Sequence, residues 1–181
     1  RDTTAFGCFA IDSLSILVNP LPMPTTMDTT ICSGEEVDLA DLVTGENITY
    51  HTSKSGAEAV GGLTAVATNP TTYTMETKVY VRDTTSFGCF AIDSLTIMIS
   101  LLPMPTTMNT TICSGEEVDL ADLVTGENIT YHTSKSGAEA VGGITDVATN
   151  PTTYTMETKV YVRDTTAFGC FAIDSLTIMI S

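Results

Sequence analysis

The sequence predicts an all-β chain of tandem two-sheet sandwich domains forming an elongated rod. Three observations predict it. The sequence repeats with a period of 81 residues. Thr, Val, Ile and Tyr dominate that period, and no apolar pattern of helical spacing runs to a useful length. Proline clusters recur at one point of the period, where stiff extended connectors belong.

Self-similarity decides the architecture. Arg1-Asp2-Thr3-Thr4 returns as Arg82-Asp83-Thr84-Thr85 and as Arg163-Asp164-Thr165-Thr166. The 181 residues are therefore 81 + 81 + 19, and 72 of 81 positions match between 1–81 and 82–162. Leu17 to Met98, Val18 to Ile99 and Leu63 to Ile144 are swaps of similar volume, which a packed core tolerates. A period of this length is the size of a small domain rather than of a solenoid unit, so the chain reads as beads on a string.

Within one period the clearest strand pair is Lys78–Asp83 followed by Phe90–Ile99, with the turn at Thr84-Thr85-Ser86-Phe87-Gly88. Alternation places Leu95, Ile97 and Ile99 toward the core and Ser94 and Thr96 toward solvent. Further strands are expected at 24–30, 36–43, 47–53, 63–67 and 71–75. The stretch 53–62 reads as a loop, with room for one helical turn. Some seven short strands in such a length indicate a Greek-key sandwich of immunoglobulin type. The clusters Pro20-Leu21-Pro22-Met23-Pro24 and Leu102-Pro103-Met104-Pro105 place domains at 21–101 and 102–181. Residues 1–20 then form the last strand and part of the hairpin of a truncated upstream repeat.

Composition excludes several classes. The chain has 22 acidic and 7 basic side chains and a net charge of −15. Polyphosphate and anionic lipid would be repelled, so neither nucleic acid nor a charged membrane is an expected partner. No apolar run approaches the length of a membrane span, and no signal-peptide pattern is visible from Arg1 onward. The charge divides as −7, −7 and −1 along the repeats, a solubilising property of each bead rather than an acidic tail.

The five cysteines are Cys8, Cys32, Cys89, Cys113 and Cys170. Each repeat carries one near its start and one in its last turn, which points to disulfides and an oxidising, extracellular setting. Pairing within each domain, Cys32–Cys89 and Cys113–Cys170, is the default. Cys8 belongs to the truncated repeat, with its partner outside the fragment. There is a geometric objection to the default. In an immunoglobulin topology the two cysteines of a domain lie at opposite poles, whereas bonded Cα atoms approach within about 7 Å. A staple between neighbours, Cys32–Cys170, avoids the objection, and Cys8–Cys32 with Cys89–Cys113 is a third arrangement.

No catalytic constellation stands out, and no enzyme activity is expected. His51 and His132 sit in Thr-Tyr-His-Thr on expected strands and read as structural surface positions, with no partner for base chemistry. Zinc would need more ligands than one histidine per repeat supplies. Glu36, Asp38 and Asp41 are the candidate calcium ligands, but they lack the glycine-punctuated ladder of a calcium loop. Alternation instead puts Glu36 and Asp38 on one solvated strand face. Glutamine is absent, which excludes cross-links that need it, and 34 threonines make the sequons at Asn47, Asn109 and Asn128 expected by chance.

Several segments read together carry a resemblance. They are Thr30-Ile31-Cys32-Ser33-Gly34-Glu35-Glu36-Val37-Asp38-Leu39, Ile48-Thr49-Tyr50, Tyr73-Thr74-Met75, Val79-Tyr80-Val81-Arg82 and Gly88-Cys89-Phe90-Ala91-Ile92-Asp93-Ser94. The whole chain resembles the tandem immunoglobulin-like repeats of giant Bacteroidota surface adhesins, including SprB-like gliding-motility adhesins exported by the type IX system. The resemblance implies an extracellular fibre attached to the outer membrane, with O-glycans on Asp-Ser/Thr motifs. The matching hydroxyls are Thr3, Ser13, Thr29, Thr84, Ser94, Thr165 and Ser175, while Asn109 in place of aspartate removes the motif at Thr110. The competing reading is that Asp-Thr and Asp-Ser are turn residues.

The expected function is thus a structural stalk segment. Its partners are neighbouring repeats, identical chains in a filament, or surface and glycan ligands at a distal tip. A subunit that self-assembles through strand or edge association is one alternative. A carbohydrate-binding module is another, although it would need an exposed aromatic platform. Trp is absent, and Tyr50, Tyr73 and Tyr80 lie in expected core strands.

Overall fold

Two β-sandwiches of the same plan follow one another along the chain, preceded by a short hairpin. The computed structural model describes residues 2–62, 64–143 and 145–181. The leading hairpin has β1 (Asp2–Thr3) and β2 (Phe9–Ala10). The first sandwich contains β3 (Thr25–Thr26), β4 (Thr29–Cys32), β5 (Glu36–Val37), β6 (Val43–Thr44), β7 (Ile48–His51), β8 (Thr71–Thr72), β9 (Thr77–Thr84) and β10 (Phe90–Ser100). The second repeats it as β11 (Thr106–Thr107), β12 (Thr110–Ile112), β13 (Glu117–Val118), β14 (Val124–Thr125), β15 (Ile129–His132), β16 (Thr152–Thr153), β17 (Thr158–Thr165) and β18 (Phe171–Ile180).

The main sheet of the first repeat has the order β4-β10-β9-β7. β9 and β10 pair antiparallel over eight registers, from Phe90 opposite Thr84 to Ile97 opposite Thr77. β4 joins the far half of β10 in parallel, with Thr29 opposite Ile97 and Cys32 opposite Ser100. The facing layer is the short pair β5–β8, and β3–β6 closes one end. Parallel first and last strands with a Greek-key path are the immunoglobulin-type arrangement.

Pleat alternation supplies the core. Val79 and Val81 on β9 and Leu95 and Ile97 on β10 are buried against Val37, Leu39 and Tyr73, with Ile31, Tyr50 and Ile99 packed around them. The second repeat has the same core in Val118, Leu120, Tyr154, Val160, Val162, Leu176 and Ile178. The expected row of Leu95, Ile97 and Ile99 is therefore the inward row.

Three local expectations need correction. The strand expected at 36–43 stops at Val37, because Asp38 caps a 3-10 turn over Leu39–Leu42 by accepting from the Ala40 N–H. This takes Asp38 off the strand face it was expected to share with Glu36. Leu63 and Ile144 lie outside the described residues, and the remainder of 63–67 contributes a single bridge, His51 to Val66. Ser94 and Thr96 are half-buried rather than solvated.

The loop at 53–62 does contain one helical turn, α1 (Lys54–Glu58), capped by the Ser53 hydroxyl on the Gly56 N–H. Its counterpart in the second repeat is α2 (Lys135–Glu139). This turn packs against β7 and β9 of the main sheet.

Candidate functional site

The sulfur chemistry lies at the junction between repeats. Cys32 ends β4 and Cys170 closes the turn before β18, and the two are joined in a disulfide with Cα atoms 5.5 Å apart. The within-repeat pairing Cys32–Cys89 is thereby overturned, and Cys113 is left exposed rather than bonded to Cys170. Strand register gives the reason. Cys32 sits beside Ser100 at the exit of β10, while Cys89 immediately precedes Phe90 at its entry. An 11-residue strand separates the two cysteines by about 33 Å, several times the reach of a disulfide.

The tip that reaches the exit pole of the first repeat belongs to the next repeat. In that tip the Thr166 N–H donates to the Cys170 carbonyl at 2.7 Å and the Gly169 N–H to the Thr166 carbonyl at 2.9 Å. Gly169 has φ +86°, a conformation that only glycine adopts without strain. Beside the disulfide the hydroxyls of Ser100 and Thr166 lie 3.3 Å apart. Cys170 is 1% exposed. Glu35 anchors the other half by accepting from the Cys32 N–H at 2.9 Å.

Each tip is held in turn by two buried charges. Arg82, 4% exposed, donates from Nη1 to the carbonyls of Ala57 and Ala59 at 2.8 and 2.7 Å, and from Nε to the Thr84 hydroxyl at 3.2 Å. Its guanidinium also stacks 3.8 Å from the Phe90 ring centroid. Its equivalent, Arg163, makes the same contacts, and burial pulls that guanidinium below its ordinary value. Asp83 accepts from the Asn47 N–H at 3.0 Å. Gly45 packs so close to Asp83 and Ile48 that a Cβ there would fall 2.8 and 2.4 Å from their side chains. A lone buried guanidinium with neutral acceptors is a fixed strut, since every polar hydrogen bond it loses leaves a charge unsolvated.

His51 and His132 are fully buried, which corrects the surface placement. His51 Nδ1 lies 2.9 Å from the Thr64 carbonyl and must donate to it, so Nε2 accepts from the Thr49 hydroxyl at 2.9 Å. Both ring nitrogens are engaged inside the fold.

The calcium candidates are not brought together. Glu36 and Asp41 are exposed, and Asp38 is occupied by the Ala40 N–H at 2.9 Å and by Asn69 Nδ2 at 2.8 Å. Those two donors hold the Asp38 carboxyl below the usual carboxylate value. Among the described residues no group of three His, Cys, Asp or Glu is arranged to hold a metal.

The hydroxyls of the Asp-Ser/Thr motifs are distributed unevenly. Ser13 is exposed, whereas Thr29, Thr84, Ser94, Thr165 and Ser175 are half-buried. The Thr3 side chain lies outside those described. Thr84 and Thr165 accept from the Nε of Arg82 and Arg163. Asp93 accepts from the Thr26 hydroxyl and from the Ser94 N–H, so the motif aspartate has structural partners of its own. Asp28 and Asn109 use the same side-chain oxygen to accept from Thr96 N–H and Thr177 N–H, both at 2.7 Å. This shared role accounts for the exchange of Asp for Asn between repeats.

No protein-family model matches the chain, and no curated protein matches it. Among solved structures it is similar to protocadherin gamma B2 extracellular cadherin domains 3–6, at 12% identity and a TM-score of 0.30, over 89% of this chain and 51% of that one. It is also similar to titin domains Z1Z2 in complex with telethonin, at 11% identity and TM-score 0.28, covering 87% of this chain and 96% of that one. Drosophila N-cadherin EC1–3 matches at 14% identity and TM-score 0.27, over 89% and 67% of the two chains. The chain thus spans about half the length of the protocadherin.

Proposed function

We propose that this chain is a non-catalytic stalk segment of a long, repetitive extracellular adhesin or surface fibre. The observation that carries the reading is the disulfide between consecutive sandwiches. It encloses residues 33–169, so tension applied along the chain passes through Cys32 and Cys170 and bypasses the buried core of the first sandwich, leaving β18 of the second on the loaded path. Such a bypass has value in a segment that is pulled. A disulfide also needs an oxidising compartment, which agrees with an extracellular location.

The resemblance to giant Bacteroidota adhesins supports outer-membrane attachment, type IX export, gliding motility and O-glycosylation as parts of the same reading. Ser13 is the most exposed of the candidate glycan sites whose side chains are described. A carbohydrate-binding role finds less support, since Tyr73 is buried and Tyr50 and Tyr80 are half-buried, with no open aromatic platform among them.

Force spectroscopy tests the stalk reading. Pulled from its ends, the oxidised chain is expected to release only the segments outside 33–169, and reduction is expected to restore full unfolding of both sandwiches. Equal contour-length gains before and after reduction would remove the mechanical argument.

A second reading, self-association by strand exchange, is favoured by one observation. Ile11, Leu14, Ile16, Leu17 and Val18 are each more than 70% exposed. Sedimentation over a range of concentrations separates the two, since a concentration-independent monomer eliminates it.

A further inference from the structure

Cys113 and Cys89 occupy the two repeat positions that are bonded to each other at the junction. Cys113 is the equivalent of Cys32, and Cys89 of Cys170. Their surroundings match. Cys113 follows β12, whose strand pairs in parallel with the exit half of β18, and its N–H donates to Glu116 at 2.8 Å as that of Cys32 does to Glu35. At the tip, Thr85 N–H donates to the Cys89 carbonyl and Gly88 N–H to the Thr85 carbonyl, as Thr166 and Gly169 do around Cys170.

The differences are those of an unfilled partner position. Cys113 is exposed where Cys32 is half-buried, Cys89 is half-buried where Cys170 is buried, and Ser181 is exposed where Ser100 is half-buried.

We infer that the pole formed by Cys113 and Ser181 is a docking and cross-linking site for the hairpin tip of a further repeat of this kind in the same polypeptide. The occupant is specified by continuity with the junction already present. The first repeat's pole is filled by a Phe-Gly-Cys tip of the next repeat in the chain, reached across the connector Leu101–Pro105. The contact is heterologous, pole to tip, so it propagates in line instead of closing on itself. Cross-linking consumes two thiols and one disulfide oxidant, for which oxidised glutathione serves. One protein thiolate attacks it and releases a glutathione thiol, and the second thiolate displaces the other glutathione from the mixed disulfide.

Staples of this kind, each reaching 138 positions along the sequence, overlap. Every repeat would be tied to both neighbours, one through its pole and the other through its tip. The inference rests on the junction geometry and not on surface display, so it stands or falls independently of the adhesin reading.

The test is a chain carrying one further copy of residues 101–181 after Ser181, its new tip marked by Ala167→Thr in that copy, which sets it apart from the tips at Cys8, Cys89 and Cys170. It is oxidised with glutathione disulfide and alkylated without reduction. Free thiols are expected to stay at three, as in the present chain, although two cysteines have been added. Cleavage at aspartate is expected to recover the Asp93–Val118 peptide joined to the marked tip. Cys113→Ser is expected to raise the thiol count by one and leave Cys32–Cys170 intact. Five free thiols, Cys113 joined to Cys170 or Cys89, or a cross-link only between separate chains would each overturn the inference.

Discussion

Residues 1–19 and 163–181 are almost the same sequence, with 15 of 19 positions identical, yet they form different structures. In the later one β18 pairs with β17 over eight registers, five of them with residues 158–162 that precede the segment, and Leu176 and Ile178 are fully buried. Among the described residues the earlier one pairs Asp2 with Ala10 and Thr3 with Phe9, and Leu14 and Ile16 are 80% and 81% exposed. Both keep the turn itself, with Thr4 N–H donating to the Cys8 carbonyl as Thr166 N–H does to that of Cys170. Turn chemistry is therefore written locally, while the strand is held by the body it enters. An isolated two-stranded hairpin is marginal in water, and the parallel partner β12 and the facing layer supply what it lacks.

The largest expected contrast is in hydrogen exchange. The amides of Leu176 and Ile178 are expected to exchange only through global opening, at least about a thousandfold more slowly than those of Leu14 and Ile16. Comparable protection in the two segments would mean that the leading hairpin has found a partner, which would break the comparison and favour strand exchange.

Truncation sharpens the same contrast. Leu176→Ala is expected to lower stability to urea by about 2–5 kcal/mol, because it opens a cavity in a packed core. Leu14→Ala, at the same repeat position, is expected to stay within about 0.5 kcal/mol. A similar cost at both sites would show that context does not decide the strand.

The limits of sequence reading follow the same division. Alternation along Phe90–Ile99 was enough to orient Leu95, Ile97 and Ile99, and periodicity was enough to see two like bodies, because both are local patterns. The disulfide needed the register of β4 against β10, a contact between residues 68 apart, such as Thr29 with Ile97. The two-pole objection was legible and made Cys32–Cys170 one of three open arrangements, but choosing it over the within-repeat default needed that register. The buried Arg82 was invisible for another reason. Its acceptors are backbone carbonyls of Ala57 and Ala59, and a carbonyl has no signature in sequence. Likewise His51 reads as a surface position because nothing in Thr-Tyr-His-Thr shows that α1 and the segment near Thr64 pack against its strand.

The cysteines give the next smaller effect. Cys170→Ser is expected to cost about 2–4 kcal/mol under non-reducing conditions, as the loop closed by the staple is long. Cys8→Ser is expected to leave the urea midpoint unchanged. If Cys8→Ser matched the loss, Cys8 would have a partner in solution and the two tips would be equivalent.

Acid provides the smallest contrast. Asn150 Nδ2 and the Ala121 N–H hold the Asp119 carboxyl below the usual carboxylate value. A carboxyl whose pKa is lower folded than unfolded stabilises the fold above the unfolded value, near pH 4, and that contribution disappears as pH falls through the folded value. Below about pH 4 the second sandwich is therefore expected to loosen its hold on 171–180, and protection there to fall with pH. Residues 9–18, which rest on no sandwich, are expected to change with intrinsic exchange alone. Asp119→Asn removes the titrating group while its side-chain oxygen still accepts from the Ala121 N–H. It is expected to flatten the acid dependence in 171–180 with little change at neutral pH. An unchanged slope in Asp119→Asn would assign the acid response to other carboxylates.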